Sequence, residues 1–298
     1  MKYSKPSITI KEQIDLLKKR GLIVNDKKDL SKYLSNISYY HLSSYFKHFQ
    51  KNDHFYDRVT FDDILNIYVF DQKLRLLLLD VLERIEKSFK CRLVYELATK
   101  YNDSHWLSDE KYFEDKENYY KRTVAGILDK LPCSKETYIK HYYQKYSEPQ
   151  HPPTWTIIDS LTFGQSVMIY GQLTKENKKL IAQTYDLNKK HVQNWMYALS
   201  IIRNFCAHHS RLWNKNMIIT LNKRVGIYKD LFSNSHRNRL WNYIVIIQII
   251  NCKFNPDSKW TERLYNIIQE HNINVSHMDF PEDWMDRLQE IREIEIIK

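Results

Sequence analysis

The most informative stretch of the chain is Arg203-Asn204-Phe205-Cys206-Ala207-His208-His209-Ser210-Arg211-Leu212-Trp213-Asn214. It holds two arginines, two histidines and two asparagines within twelve residues. It lies inside a longer run, residues 187–229, that contains no Asp or Glu. The cationic residues of that run are Lys189, Lys190, Arg203, Arg211, Lys215, Lys223, Arg224 and Lys229. A surface with cations and histidines but no acids suits a phosphate-rich ligand. A metal site is disfavoured, because no carboxylate or thiolate pair shares the spacing.

Composition predicts an all-α protein with an acidic partner. The 298 residues are 43% hydrophobic, which is enough for one large or two small domains with a real core. Only 5 glycines and 7 prolines interrupt the chain, which favours helices over strands and turns. The net charge of +10 suits nucleic acid or a membrane surface, although a generally basic protein would show it too.

The four cysteines indicate a reducing compartment. They are scattered singly, with no C-x-x-C pair, so zinc ribbons and redox motifs are excluded. Free thiols and an amino terminus without signal-peptide character predict a cytoplasmic protein. The apolar runs are too short to cross a bilayer, so no membrane association is expected, and no cofactor is predicted.

Apolar spacing divides the chain into three segments. Residues 1–55 form an N-terminal helical unit, 56–255 a helical core and 256–298 a polar helical tail. In the core, Thr60 caps a long helix that runs to about Tyr101, and a second helix spans 188–213. An insertion at 102–150 is rich in tyrosine. Its aromatic residues suit either RNA stacking or ordinary helical packing.

Helical geometry separates the polar residues of 188–213 by face. At about 100° per residue, the core-facing stripe contains Trp195, Leu199, Ile202 and Cys206. Asn204, His208 and Arg211 fall on the opposite face, and Arg203 lies on the flank. His209 falls on the core side, which favours a structural role. We therefore expect His208 and Asn204 to point outward.

These outward groups suit metal-free RNA cleavage. Histidine can take the proton of a ribose 2′-hydroxyl or protonate the leaving 5′-oxygen near neutral pH. Arg203 can donate to the phosphorane, and Asn204 can orient the phosphate or the imidazole. One His and one Arg make a sparse site, so a twofold copy would complete it. Further RNA contacts are expected from Lys189, Lys190, His209, Arg211 and Lys215.

The chain resembles the Abi-like abortive-infection proteins (the AbiD/AbiF group) and, through Arg203-Asn204-x-x-x-His208, the R-x4-6-H motif of HEPN domains. The likeness covers about residues 5 to 215. Its upstream segments include Tyr39-Tyr40-His41-Leu42, Phe70-Asp71-Gln72-Lys73-Leu74-Arg75, Ile85-Glu86 and Pro152-Pro153-x-Trp155.

The resemblance implies a HEPN helical bundle with additional helices at both ends and a role in phage defence. It implies a metal-independent endoribonuclease that leaves a 2′,3′-cyclic phosphate and a 5′-hydroxyl. Arg203 and His208 would be catalytic, Asn204 supporting, and Glu86 would orient Arg203. A homodimer and an antitoxin encoded elsewhere are the expected partners besides RNA.

Two alternatives remain open. The first is a HEPN protein that binds a structured or non-coding RNA without cutting it. The second is a nucleotide-transferring HEPN enzyme, although the sequence contains no Gly-rich phosphate loop to support it.

Overall fold

The computed structural model describes residues 6–114, 118–223, 225–235 and 238–297, and it is all-α apart from one small hairpin. The helices are α1 Ile10–Lys19, α2 Lys27–Ile37, α3 Tyr39–Phe46, α4 Phe61–Tyr101, α5 Ala125–Leu128, α6 Thr137–Lys145, α7 Thr154–Ser160, α8 Phe163–Gln172, α9 Lys175–Gln183, α10 Lys189–Ala207, α11 Trp241–Cys252, α12 Trp260–Glu270 and α13 Trp284–Ile297. The hairpin pairs β1 Gln50–Lys51 with β2 His54–Phe55. Short 3-10 or π turns lie at Trp106–Ser108, Glu110–Tyr112, Tyr120–Val124, Leu131–Cys133, Gly226–Leu231 and Val275–Met278.

The N-terminal helices enclose a small hydrophobic cluster of their own. Leu17, Leu30, Leu42 and Phe46 are buried there, together with Ile64 from the start of α4. The spacing of leucines and tyrosines from Leu30 to Gln50 predicts one helix, and that prediction is wrong. Ser38 adopts a φ of 72°, which ends α2, and its hydroxyl then caps α3 by accepting from His41 N.

α4 is the longest helix and follows the sequence prediction closely. Thr60 is its N-cap and forms a capping box with Asp63. The helix continues for 41 residues, and Asn102 ends it in the left-handed region. Its first turn belongs to the small cluster, and the remainder lies in a second, larger one.

The large cluster joins α4 to the helices packed around it, including α8, α10 and α11. Every residue of α11 is buried, because its apolar side chains cover the whole circumference of the helix. The tail does not form a core of its own. Trp260, Leu264, Trp284 and Leu288 of α12 and α13 are buried in the same large cluster.

The aromatic segment 102–150 contributes mainly to packing. Trp106, Tyr112 and Phe113 are buried in the large cluster, which favours the packing interpretation over an RNA-stacking surface. Tyr138 and Tyr146 are exposed on or next to α6. Within the described ranges, no helix combines the length and the apolar character that crossing a bilayer requires.

Candidate functional site

α10 presents the predicted polar residues at its C-terminal end. Asn188 caps its start by accepting from the Lys190 and His191 amides. The predicted core stripe is confirmed, because Trp195, Leu199, Ile202 and Cys206 are buried. Asn204 is exposed, as expected for the opposite face.

The sequence-based prediction that this helix continues to residue 213 is wrong, because it ends at Ala207. The amides of His209 and Ser210 donate to Cys206 O and Phe205 O, at 3.2 and 2.9 Å. This pair of bonds is a Schellman motif, with His209 at the left-handed position (φ 56°). Helical angles therefore do not apply to His209 or Arg211. His209 is exposed and does not face the core, and His208 is exposed beside it.

A carboxylate from α4 holds the chain after α10. Asp71 is fully buried, and its Oδ1 accepts from Trp213 N at 2.7 Å, while Leu212 N lies 3.2 Å from both carboxylate oxygens. Tyr45 Oη donates to Oδ2 at 2.7 Å, and Arg75 Nη1 lies 2.5 Å from the same oxygen. These bonds draw the 212–213 backbone towards α4, which accounts for the early end of α10.

The Asp71–Arg75 pair differs from the i,i+4 ion pair that its spacing suggests. The sequence predicts a solvated pair, yet the Arg75 side chain is only 5% exposed and that of Asp71 is fully buried. Burial raises the pKa of the Asp71 carboxyl, and the Arg75 guanidinium and the hydrogen bonds from Tyr45 and the backbone oppose that rise. Removing either partner would leave the other charge buried and unpaired, which is strongly destabilising.

A second carboxylate of α4 faces Arg203. Glu86 Oε2 lies 3.4 Å from Arg203 Nε, and Glu86 Oε1 lies 3.0 Å from Lys90 Nζ. The i,i+4 spacing of Glu86 and Lys90 predicts a second solvated pair, but the Glu86 side chain is only 11% exposed, so this pair is buried as well. The Arg203 side chain remains 36% exposed. Glu86 thus holds the guanidinium through Nε, on one edge of the planar group.

The polar residues around the last turn of α10 lie close together. His208 N donates to Asn204 O at 2.9 Å, which places these residues one turn apart. Lys215 Nζ lies 3.7 Å above the Phe205 ring. Burial lowers the pKa of Arg211, and burial followed by the charge of Arg211 lowers that of Lys215. The structure therefore gathers Arg203, Asn204, His208, His209, Arg211 and Lys215 at one end of α10.

Lys189 and Lys190 do not join this group. They begin α10, and fourteen residues at 1.5 Å per residue place Lys189 about 21 Å from Arg203 along the helix axis. They line a separate cavity of about 490 Å³ between α8, α9 and α10. We call this cavity the lysine pocket, because Lys175, Lys178, Lys189 and Lys190 line it.

Two functional neighbours were missed by sequence reasoning. His41 of α3 is half-buried near the site, and its pKa is lowered by burial, then by Arg75 and more weakly by His209. Asp71 is the other, because its carboxylate binds the backbone amides of Leu212 and Trp213 in the loop after α10. A sequence signal for Asp71 exists, because it precedes the buried Leu74 by three residues and Leu78 by seven and so shares their helix face.

The C-terminal tail lies close to Trp213 and Asn214, in the loop after α10, through His277. His48 and His277 rings lie 4.4 Å apart, and Trp213 packs 4.7 Å from His48. Asn214 Nδ2 lies 3.0 Å from His48 Nδ1, and Arg239 donates to Asn214 Oδ1 and His277 O. Burial lowers the pKa of both His48 and His277.

A family model described as Abi-like protein matches residues 32–214. The match ends beside the tethered Trp213, and it excludes α1, the tail and the segments before residue 32 that contribute to the sequence resemblance. Neither the curated proteins nor the solved structures give a significant match. The described residues hold no group of three or more His, Cys, Asp or Glu side chains arranged for a metal ion.

Proposed function

The chain belongs to the Abi-like protein family, and from that premise we propose that it is a metal-independent endoribonuclease of the HEPN type. Family membership supports a role in abortive infection, a defence against phage. One observation carries the enzymatic proposal. Arg203 contacts the buried Glu86 and lies one residue before the exposed Asn204 and five before the exposed His208, in a run of the chain that contains no acid.

The chemistry follows from these groups. A general base removes the proton of a ribose 2′-hydroxyl, and the 2′-oxygen attacks the adjacent phosphorus. The bond to the 5′-oxygen breaks, and a general acid protonates that oxygen, which leaves a 2′,3′-cyclic phosphate and a 5′-hydroxyl. His208 suits either proton transfer. Arg203 neutralises the charge that grows on the phosphorane, and Asn204 orients the phosphate.

We further propose a homodimer that completes the site. The reaction needs a base and an acid on opposite sides of the phosphorus, and His208 supplies one such group in each chain. Two copies related by a twofold axis near the C-terminal ends of α10 would place two His208 and two Arg203 side chains around one cleft. Sedimentation analysis should then show a dimer at the concentrations at which RNA is cleaved.

The test is RNA cleavage in EDTA. We expect the wild-type protein to cut RNA and to leave 2′,3′-cyclic phosphate ends. His208→Ala and Arg203→Lys should each slow cleavage by about 10²-fold or more. His141→Ala, which changes an exposed histidine on α6, is the matched control and should cut normally. A His208→Ala dimer that cleaves like the wild type would refute the proposal.

The alternative function is RNA binding without cleavage. The acid-free run and its lysines favour it equally, because phosphate binding alone needs only unpaired cations. RNA that shifts on a gel but stays intact, with ends unchanged in EDTA and in magnesium, would support that function over the nuclease.

A further inference from the structure

The lysine pocket is lined by four lysines and one carboxylate, that of Glu114. Lys175, Lys189 and Lys190 have no carboxylate partner among the residues that the structure describes, and only Lys178 is paired there, with Glu114 Oε2 at 3.4 Å. Lys175 lies in the first turn of α9, and Lys189 and Lys190 lie in the first turn of α10. Cations at this end of a helix oppose its dipole, so their cluster destabilises the free protein and favours a bound anion.

The walls of the pocket leave room for a ligand larger than an ion. Its volume of about 490 Å³ lies within the usual range of small-molecule sites. Gly171 forms one wall, and a Cβ there would come within 2.7 Å of Gln193 Nε2. Gln193 Oε1 is buried and lacks a hydrogen-bond partner within the described part of the chain. A rotation of the Gln193 side chain towards the pocket would let this amide oxygen accept from a ribose hydroxyl.

The pocket and the Arg203 site share one face of α10. The exposed positions along that helix are Lys190, Tyr197 and Asn204, which recur every seven residues and so form one line. Tyr197 is 43% exposed between the two ends and also borders the pocket. An exposed tyrosine ring midway along a basic face is a stacking surface for a base.

We propose that the lysine pocket binds a backbone phosphate of the same single-stranded RNA whose scissile bond lies at Arg203. This inference rests on the proposed function and extends it to a second contact on the substrate. The separation of about 21 Å matches about six stacked nucleotides at 3.4 Å each. The strand would follow the exposed line of α10, with one base on Tyr197, one ribose at Gln193 and a phosphate between Lys189 and Lys175.

The test compares long and short RNA on full-length protein. Labelled RNAs of about twelve and about four nucleotides are titrated against the His208→Ala protein, so that cleavage does not interfere. Adding Lys189→Gln and Lys190→Gln should weaken binding of the longer RNA by about tenfold. It should also reduce the slope of log K against log salt by about 0.7 for each phosphate that the pocket no longer binds. The shorter RNA, which cannot span both ends, should keep its affinity.

Matched variants separate the pocket from general charge. Lys175→Gln should weaken the longer RNA, whereas Lys179→Gln, on the same helix but outside the pocket, should not. Gly171→Ala changes no charge but pushes the Gln193 amide into the pocket, and it should also weaken the longer RNA. Equal unfolding midpoints for all variants exclude misfolding as the cause.

Three results would overturn the inference, two of them from the RNA titrations. One is an unchanged affinity and salt slope for the longer RNA, and the other is an equal loss for both lengths. Binding of free AMP or ATP in the pocket without any effect on RNA affinity would also reject an RNA phosphate. If the wild-type protein never cleaves RNA but the lysine variant loses affinity for the longer RNA, the nuclease proposal is refuted and RNA binding in the pocket is supported. If the wild-type protein cleaves RNA but the lysine variant binds the longer RNA normally, the nuclease proposal is supported and RNA binding in the pocket is refuted.

Discussion

Two carboxylates on α4 each face an arginine, and their surroundings give them different roles. Asp71 is fully buried against Arg75 and accepts hydrogen bonds from Tyr45 and from the backbone of the 212–213 loop. Glu86 contacts Arg203, whose side chain is 36% exposed. The hydrogen bonds of the Asp71–Arg75 pair all lie inside the protein, to Tyr45 and to the 212–213 backbone. The second leaves part of its guanidinium to solvent, where a phosphate can reach it.

If Arg203 acts as proposed, burial of the arginine, more than its ion pair, distinguishes the structural acid–arginine pair from the functional one. A buried arginine that is paired with a buried acid fixes the fold. An arginine anchored at one edge by a buried acid keeps a fixed direction and free donors. Variants of the two acids should therefore lose different properties.

The largest effect is expected for Asp71→Asn. The change leaves Arg75 buried without its counter-charge, so the free energy of unfolding should fall by about 3–5 kcal/mol. Urea denaturation measures it. Asp80→Asn is the control on the same helix, because Asp80 pairs with Arg84 and Arg263 at the surface, and it should cost no more than about 1 kcal/mol. Similar losses for both variants would contradict the assigned difference in burial.

Glu86→Gln should mainly affect RNA cleavage. Arg203 would lose its fixed direction, so the cleavage rate constant should fall by about 10-fold to 10²-fold while RNA affinity changes less. Single-turnover cleavage and binding of uncut RNA measure the two quantities. If Glu86→Gln lost as much stability as Asp71→Asn and kept its cleavage rate, Glu86 would have a structural role and no role in cleavage.

Acid should weaken the contact between the tail and the 213–214 loop. The pKa values of His48 and His277 are lowered by burial, then by His277 and Arg211 around His48 and by Arg239 around His277. The unfolded chain therefore binds more protons below the ordinary histidine pKa of about 6.5, so this stability is present above that pH and lost as pH falls through the lowered values. The half-exposed rings limit the loss to about 1 kcal/mol between pH 7.5 and 5.5.

The pH experiment has a direct control. His277→Gln removes one titrating ring and should flatten the difference in urea midpoint between the two pH values. His54→Gln changes a histidine exposed on the hairpin and should leave that difference unchanged. An equal pH dependence in wild type and His277→Gln would assign the acid sensitivity to other groups.

The smallest effect concerns the end of α10. His209 has a φ of 56°, where glycine is unstrained, so His209→Gly should raise the free energy of unfolding by about 0.5 kcal/mol. His208 has a φ of −97°, so His208→Gly should lower it by a similar amount. Thermal or urea unfolding of the two variants tests the Schellman end, and equal signs for both would argue against it.

Local rules predict much of this fold. The Thr60 cap and the left-handed stop at residue 102 fix the longest helix, because both act through neighbouring residues. The core stripe of α10 follows from its spacing for the same reason. The Abi-like resemblance is also confirmed, with the match running from residue 32 instead of about residue 5.

Long-range contacts account for the errors. α10 ends at Ala207 because Asp71, which lies 141 residues before Leu212, accepts its amide hydrogen. An i,i+4 acid–base pair has the same sequence spacing at the surface and in the core. Predicting that Asp71 and Glu86 are buried therefore also requires knowing which face of α4 packs against other helices. Lys190 shares an acid-free run with Arg203, yet the rise of the helix separates them. The roles of the site residues stay predictions.

The length of α4 has a mechanical consequence. Its first turn is embedded in the N-terminal cluster, and Glu86 lies 25 residues further along, about 38 Å by the rise of an α-helix. One uninterrupted helix therefore connects the N-terminal cluster to the carboxylate that faces Arg203. A tilt of about 2° would displace the two points relative to each other by more than about 1 Å. A molecule that bound the N-terminal helices and tilted α4 would therefore also displace the carboxylate that contacts Arg203.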